Sequence, residues 1–163
     1  MALSPAEELA GETTIAGVLK TACVALTNEL DAHACNLSRV VGLLLVDLVE
    51  HSRDGRRIQL GRSYLLPDFP LTQEVVESGE PRCVSLFDPN VDPNEADILR
   101  ELAFETLVML PLSLDERCWG LFEVYRKESG DFTAEEIAVA MDIIKSTGAA
   151  LEDLQRRAAA AAA

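Results

Sequence analysis

Apolar residues follow two rhythms along the chain. Ile15, Leu19, Ala22, Leu26 and Leu30 recur at steps of three and four, one stripe of an amphipathic helix, and predict a helix over 6–32. Gly11 and Gly17 weaken its first turns. The rhythm then changes: residues 35–49 are rich in Val and Leu and predict one long strand. Ser52, Arg53, Asp54 and Gly55 carry a hairpin-turn signal, and a second strand is predicted over 56–65.

Short elements fill the middle. Pro70 suits the first turn of a helix over 70–78, Gly79 suits its left-handed end, and Pro81 follows. A strand over 82–87 ends at the turn Asp88-Pro89-Asn90. Asp92 predicts the cap of a helix over 92–103, with Pro93 at its first position and Glu95 as the reciprocal capping-box residue. Strands over 105–112 and 117–126 are joined by Leu114-Asp115-Glu116. The last helix has Thr133 as N-cap, Glu136 as its partner, and Phe132 with Ile137 as a hydrophobic staple. Within it Ala140, Ile144, Thr147, Leu151 and Leu154 alternate steps of four and three, a short coiled-coil-like seam.

Hairpins at both ends require antiparallel pairing, and no βαβ rhythm is present. The predicted fold class is α+β: a central antiparallel sheet with the terminal helices on one face and short helices and loops on the other. The domain is read as 1–157, and the six alanines at 158–163 as a cloning scar.

Composition narrows the partners. A formal charge of −14 argues against nucleic acid or an anionic membrane, and favours a cationic or neutral ligand or a basic protein. No run of 18 apolar residues and no signal peptide are seen, so a cytoplasmic location is expected. Cys23, Cys35, Cys83 and Cys118 are scattered without a C-x-x-C pair, and no metal site is expected.

Several segments in order carry a family resemblance: LTQEVVESGEP at 71–81, CVSLFD at 83–88, LVMLPL at 107–112, GLFEV at 120–124 and FTAEEI at 132–137. Together they resemble a GAF domain over 6–157. The resemblance implies a small-molecule pocket between the sheet and the central helices, and signalling through terminal helices in a homodimer to an output domain. The implied pocket wall draws on Tyr64, Phe69, Ser85, Phe87 and Leu99, and on Leu102, Met109, Trp119, Glu123 and Tyr125. Strand alternation puts Trp119, Leu121, Glu123 and Tyr125 on that face, and Cys118, Gly120, Phe122 and Val124 on the other. The implied dimer seam uses Ile15, Leu19, Ala22 and Leu26 with Ala140, Ile144, Thr147, Leu151 and Leu154.

Family chemistries with residue signatures are not matched. After Tyr125 stand Arg126, Lys127 and Glu128, not the cyclic-nucleotide set, and acids at Asp92 and Glu95 would repel a phosphate from that helix start. His33 and His51 lie away from the central region, so haem and bilin are not expected, the scattered cysteines argue against an iron–sulfur cluster, and no cofactor is predicted. The reductase branch of the family, acting on free methionine sulfoxide, needs a cysteine loop before residue 105 that this chain lacks. No enzymatic activity is expected. The functions left are a ligand-binding sensor acting through a helical dimer, or a dimerisation and relay module without a ligand.

Overall fold

A computed structural model describes residues 1–58, 61–128 and 130–163. Helices α1 (Pro5–Gly11) and α2 (Ile15–Glu29) lead into strands β1 (Ala34–Val41) and β2 (Leu44–Ser52). The short strand β3 (Ser63–Leu65), a 3-10 turn, α3 (Pro70–Ser78), β4 (Arg82–Ser85) and α4 (Pro93–Leu102) follow. The hairpin of β5 (Thr106–Leu114) and β6 (Arg117–Arg126) and the long α5 (Ala134–Ala161) complete the chain.

Two helices stand where the stripe predicts one. Ser4 and Glu7 form a capping box on α1, and Thr14 caps α2 by accepting from the Gly17 amide. Each cap starts its own helix, so the chain breaks between them. The first hairpin also turns earlier than predicted. Gly42, at φ +60, and Leu43 join β1 to β2, inside the apolar run read as a single strand. Asp54-Gly55 instead closes the far end of β2. The strand predicted over 56–65 spans residues 59 and 60, which lie outside the described residues; Ser63–Leu65 is the part seen as strand. The later elements fall close to prediction: Gly79 ends α3 at φ +72, and Thr133 with Glu136 closes the capping box of α5. The alanine run is helical as far as Ala161.

The six strands are ordered β3-β2-β1-β6-β5-β4, and every neighbouring pair is antiparallel. This is the α+β architecture expected. One core lies between the sheet and α1, α2 and α5, and includes Leu26, Leu37, Leu110, Phe122 and Ile144. The other lies under α3 and α4, and includes Val75, Leu99, Phe104, Met109 and Tyr125. Gly120 sits where the central strands are closest: a Cβ there would lie 2.9 Å from the Ser38 carbonyl oxygen. Arg126 ties the sheet to the helices. Its guanidinium lies 3.9 Å from the centre of the Phe132 ring, donates to the Leu30 carbonyl, and pairs with Glu136 at 2.5 Å. Among the described residues no helix is long and apolar enough to cross a membrane.

The stripe read as a dimer seam packs inside the chain. Leu19, Ala22, Leu26, Ala140, Ile144, Thr147 and Leu151 are all buried in the core beneath the terminal helices; only Ile15 and Leu154 keep appreciable exposure. The reason is physical: a heptad-like stripe marks a face that must be buried, and here the sheet and the neighbouring helix bury it.

Leu151→Asp places an unpaired carboxylate in this core, and a loss of several kcal/mol is expected. Thermal unfolding by circular dichroism checks it; a parental melting point would show that α5 does not hold this face down. Gly120→Ala is expected to cost about 1–3 kcal/mol, because backbone rather than a movable side chain opposes the added methyl. Chemical denaturation measures that loss.

Candidate functional site

Polar side chains interrupt the apolar face under α3 and α4. Alternation along β1 turns Asn36 and Ser38 to this face, while Cys35 and Leu37 join the opposite core. A bulge opposite Leu37 and Ser38 leaves Leu48 without a partner and sends Asp47 inward. From β6 come Glu123 and Tyr125, and Met109 of β5 stands opposite Glu123. Thr72 of α3 and Glu95 of α4 close over them.

Hydrogen bonds within this set run toward carboxylates. Asn36 Nδ2 donates to Asp47 Oδ1 at 3.2 Å, and the Ser38 hydroxyl donates to the same oxygen. Thr72 donates to Glu95 and lies 3.4 Å from Met109 Sδ. The Tyr125 hydroxyl donates to Glu123 Oε2 at 3.1 Å. Asp47 Oδ2, Asn36 Oδ1 and the Tyr64 hydroxyl are buried with no partner. Asp47 is 3% exposed and Asn36 0%. Arg62 lies beside Tyr64 without hydrogen-bonding geometry to it, and pairs with Glu101 at 3.1 Å.

Burial sets the protonation of these acids. It pushes the Glu123 carboxyl up to about 8, helped by the charges of Glu95 and Asp47 and opposed by hydrogen bonds from Tyr125 and Asn36. It raises Asp47 to about 6 against the pull of Ser38 and Asn36. Burial also raises Glu95, against the Thr72 hydrogen bond. Asp47 therefore ionises at lower pH than Glu123. Glu123 keeps some accessible surface, whereas Val124 and Tyr125 beside it are fully buried.

A groove of about 540 Å³ is lined by Tyr64, Phe69, Asp68, Asn94 and Asp97 among others, with Tyr64 as its link to the cluster; none of Asn36, Ser38, Asp47, Thr72, Glu95 or Glu123 lines it. Tyr64 and Phe69 meet edge to face at 5.6 Å. The Tyr64 ring lines the groove while its hydroxyl is buried, so this side chain stands between groove and interior. A groove of about 390 Å³ between β5 and α5 offers as charged groups only the solvent-facing Lys145 and Glu152.

The residues expected to form a pocket wall separate into groups. Leu99, Leu102, Met109 and Tyr125 are buried under α3 and α4, and Glu123 joins the acids. Tyr64 and Phe69 flank the groove. Ser85 accepts from the Phe87 amide at 3.2 Å, and Phe87 is 64% exposed outside the core. Trp119 departs from the expected alternation. The β5–β6 register passes from Gly120 to Cys118, leaving Trp119 as the extra residue of a bulge, and it packs against the terminal-helix core. Arg39 lies 4.5 Å from its ring centre.

Asn36, Ser38, Asp47, Thr72 and Glu95 were not foreseen. A lone Asp inside the apolar strand LLVDLV is a signal that could have pointed to Asp47. The spacing suggests Glu95 as a capping-box partner; Asp92 does accept from its amide at 3.1 Å, but the carboxyl turns inward to Thr72.

No group of three or more His, Cys, Asp or Glu among the described residues is arranged to hold a metal ion. The free cysteines stand apart from the polar cluster: Cys23, Cys35 and Cys83 pack in or against the terminal-helix core, and Cys118 lines a groove with Arg39 and Trp119. Burial raises the thiols of Cys35, Cys83 and Cys118.

The GAF domain family model matches residues 14–151, and the chain belongs to that family. No curated protein sequence matches it. Solved structures share the fold at low identity. The chromophore-binding domain of the bacteriophytochrome RpBphP3 from R. palustris superposes with a TM-score of 0.81 at 10% identity, over 94% of this chain and 60% of that one. The PixJ GAF domain of Thermosynechococcus elongatus gives 0.74 at 14%, over 98% and 96%. The chromophore-binding domain of a Stigmatella aurantiaca bacteriophytochrome gives 0.74 at 12%, over 91% and 57%. The chain thus spans less than two thirds of the bacteriophytochrome chains.

These neighbours correct the cofactor expectation. Dismissing a bilin because His33 and His51 lie elsewhere does not stand, since chromophore-binding domains adopt this fold. The acceptors at Asp47, Asn36 and Glu123 fit a guest that offers N–H groups, while no cysteine stands in the polar cluster to form a thioether.

Raised carboxyls make stability fall with pH. The folded state favours the neutral acids, so their contribution is full below about pH 4 and is lost as pH rises through about 6 for Asp47 and about 8 for Glu123. Glu123→Gln is expected to remove much of this dependence and to stabilise the protein near pH 8 by on the order of a few kcal/mol. Melting curves from acid to mildly basic pH check it; parallel parent and variant curves would refute the burial argument.

Proposed function

We propose that this GAF domain is a sensory module that takes a small molecule at the interior face under α3 and α4. One observation carries the reading: buried acceptors without partners, Asp47 Oδ2 and Asn36 Oδ1, on the interior side of Tyr64, which with Phe69 lines a surface groove. An unpaired buried acceptor costs about 1–3 kcal/mol, and a ligand donor would offset that cost. A bilin is one admissible guest, supported by the chromophore-binding neighbours. Catalysis is no part of the reading, because raised thiols disfavour a nucleophilic thiolate.

The output would run through α5. Arg126 joins the strand that carries Glu123 to the cap of that helix through Glu136. A further domain in a longer chain, and a homodimer formed through surfaces other than the buried stripe, complete the proposal. A relay module without a ligand is the second reading, favoured by the dense packing of Leu99, Met109, Phe104 and Tyr125.

Thermal shift against cationic, neutral and anionic metabolites and a bilin tests this. A ligand at about 100 times its Kd stabilises by roughly 2.7 kcal/mol, a shift of several degrees. No shift with any of them, and no mass retained in native mass spectrometry, would favour the relay reading.

A further inference from the structure

Three polar atoms at the interior face are buried without a partner: Asn36 Oδ1 and Asp47 Oδ2, which accept, and the Tyr64 hydroxyl, which can donate or accept. The side-chain donors of Asn36, Ser38, Thr72 and Tyr125 already serve carboxylates. What Asn36 and Asp47 leave over is two acceptors, Asn36 Oδ1 and Asp47 Oδ2, both on side chains buried by more than nine-tenths. The missing partner is therefore a donor. An anion entering here would meet lone pairs and the charge of Asp47, and would be repelled.

No cation of the chain fills the place among the described residues. Arg62 is half exposed and bonded to Glu101. Arg56 lies against the Phe104 ring and donates to the Leu102 carbonyl at 2.7 Å. A metal ion is not accommodated, because no three carboxylates, thiols or imidazoles come together as ligands. An organic donor is left. The groove suits its approach: Asp68 and Asp97 make the mouth acidic, and the faces of Tyr64 and Phe69 attract a cation.

We propose that the ligand of this face is an organic cation, an ammonium or amidinium group that donates to Asn36 Oδ1 and Asp47 Oδ2 within the electrostatic reach of Glu123 and Glu95. The proposal rests on the reading that this face binds a small molecule. The cation takes the place of protons on the carboxyls. Asp47 faces Asn36 and Ser38 of β1, Glu50 of its own strand, Tyr64 of β3, Arg62 beyond it, and Glu123. Glu123 faces Asn36, Asp47, Tyr125, Met109 and, from α4, Glu95, which itself feels Thr72 and Asp92. Nothing in this surrounding except the remote Arg62 favours the ionised forms by charge. Binding of a cation therefore releases protons and strengthens as the acids ionise.

Calorimetry on the full chain with benzamidine and with benzoate, planar molecules of similar shape and opposite charge, tests the assignment; methylammonium and agmatine extend the cations. Benzamidine stays charged throughout and is expected to bind at least about tenfold more tightly near pH 8 than near pH 6, with a heat that changes with the ionisation enthalpy of the buffer because protons are released. Asp47→Asn and Glu123→Gln each weaken it about tenfold or more while the melting point holds or rises, which shows that the fold is kept. Benzoate does not bind. Benzoate binding as tightly as benzamidine, or cation binding indifferent to pH and to both substitutions, overturns the proposal. If all three cations fail while a neutral or anionic compound binds, the cation assignment falls and the ligand site stands. If none of these compounds binds, the cation assignment falls, and the thermal-shift panel of metabolites and a bilin decides separately whether the ligand site stands.

Discussion

The pairing of β1 with β6 holds this molecule together. It joins residues 34–39 to 120–125, from opposite halves of the chain, at the centre of the sheet. Neither core can close before these strands meet, since each side of the pair is the floor of one core. The approach is tight enough that Gly120 has no room for a side chain against the Ser38 carbonyl. A long-range strand contact of this kind must overcome loop-closure entropy before it is rewarded. The local signals around it, from the capping boxes to the left-handed turn residues, reduce what remains to be specified.

The same pair separates two kinds of interior. Toward the terminal helices it presents Cys35, Leu37, Phe122 and Val124, an apolar surface with no polar demand. Toward α3 and α4 it presents Asn36, Ser38 and Glu123 beside Leu121 and Tyr125. Burying three carboxyls near one another opposes folding, and an apolar set of similar volume would give a more stable domain. Local agreement between sequence and fold fails at this one place, as it does where a chain gives up stability for binding.

Architecture was legible because periodicity reports burial. The α5 capping box, the Gly79 helix end, the β5–β6 hairpin and the two helical layers could all be read from residue spacing. Interruptions were not. Gly42 was hidden in a continuous apolar run, and the two strand bulges leave no periodic mark, so Asp47 and Trp119 were assigned no face or the opposite one. The buried stripe of α5 shows the limit of periodicity: spacing tells that a face is covered, not whether the same chain covers it. Of the residues expected in a pocket wall, Glu123 and Tyr125 lie in the buried polar cluster and Tyr64 beside it, which strand alternation anticipates for the first two. Thr72 and Glu95 were not legible, because their roles arise only when α3 and α4 fold over the sheet.

The bulge that displaces Trp119 gives the molecule two optical reporters on opposite sides of one sheet. The chain has a single tryptophan and two tyrosines. Trp119 shares a groove with Arg39 and Gln155 of α5, whereas Tyr64 and Tyr125 stand at the gate and floor of the interior cluster. Tyrosine emission thus comes from the side of the interior cluster, and tryptophan emission from the side of the last helix. A change in indole fluorescence on filling the interior would be a direct reading of signal crossing the sheet.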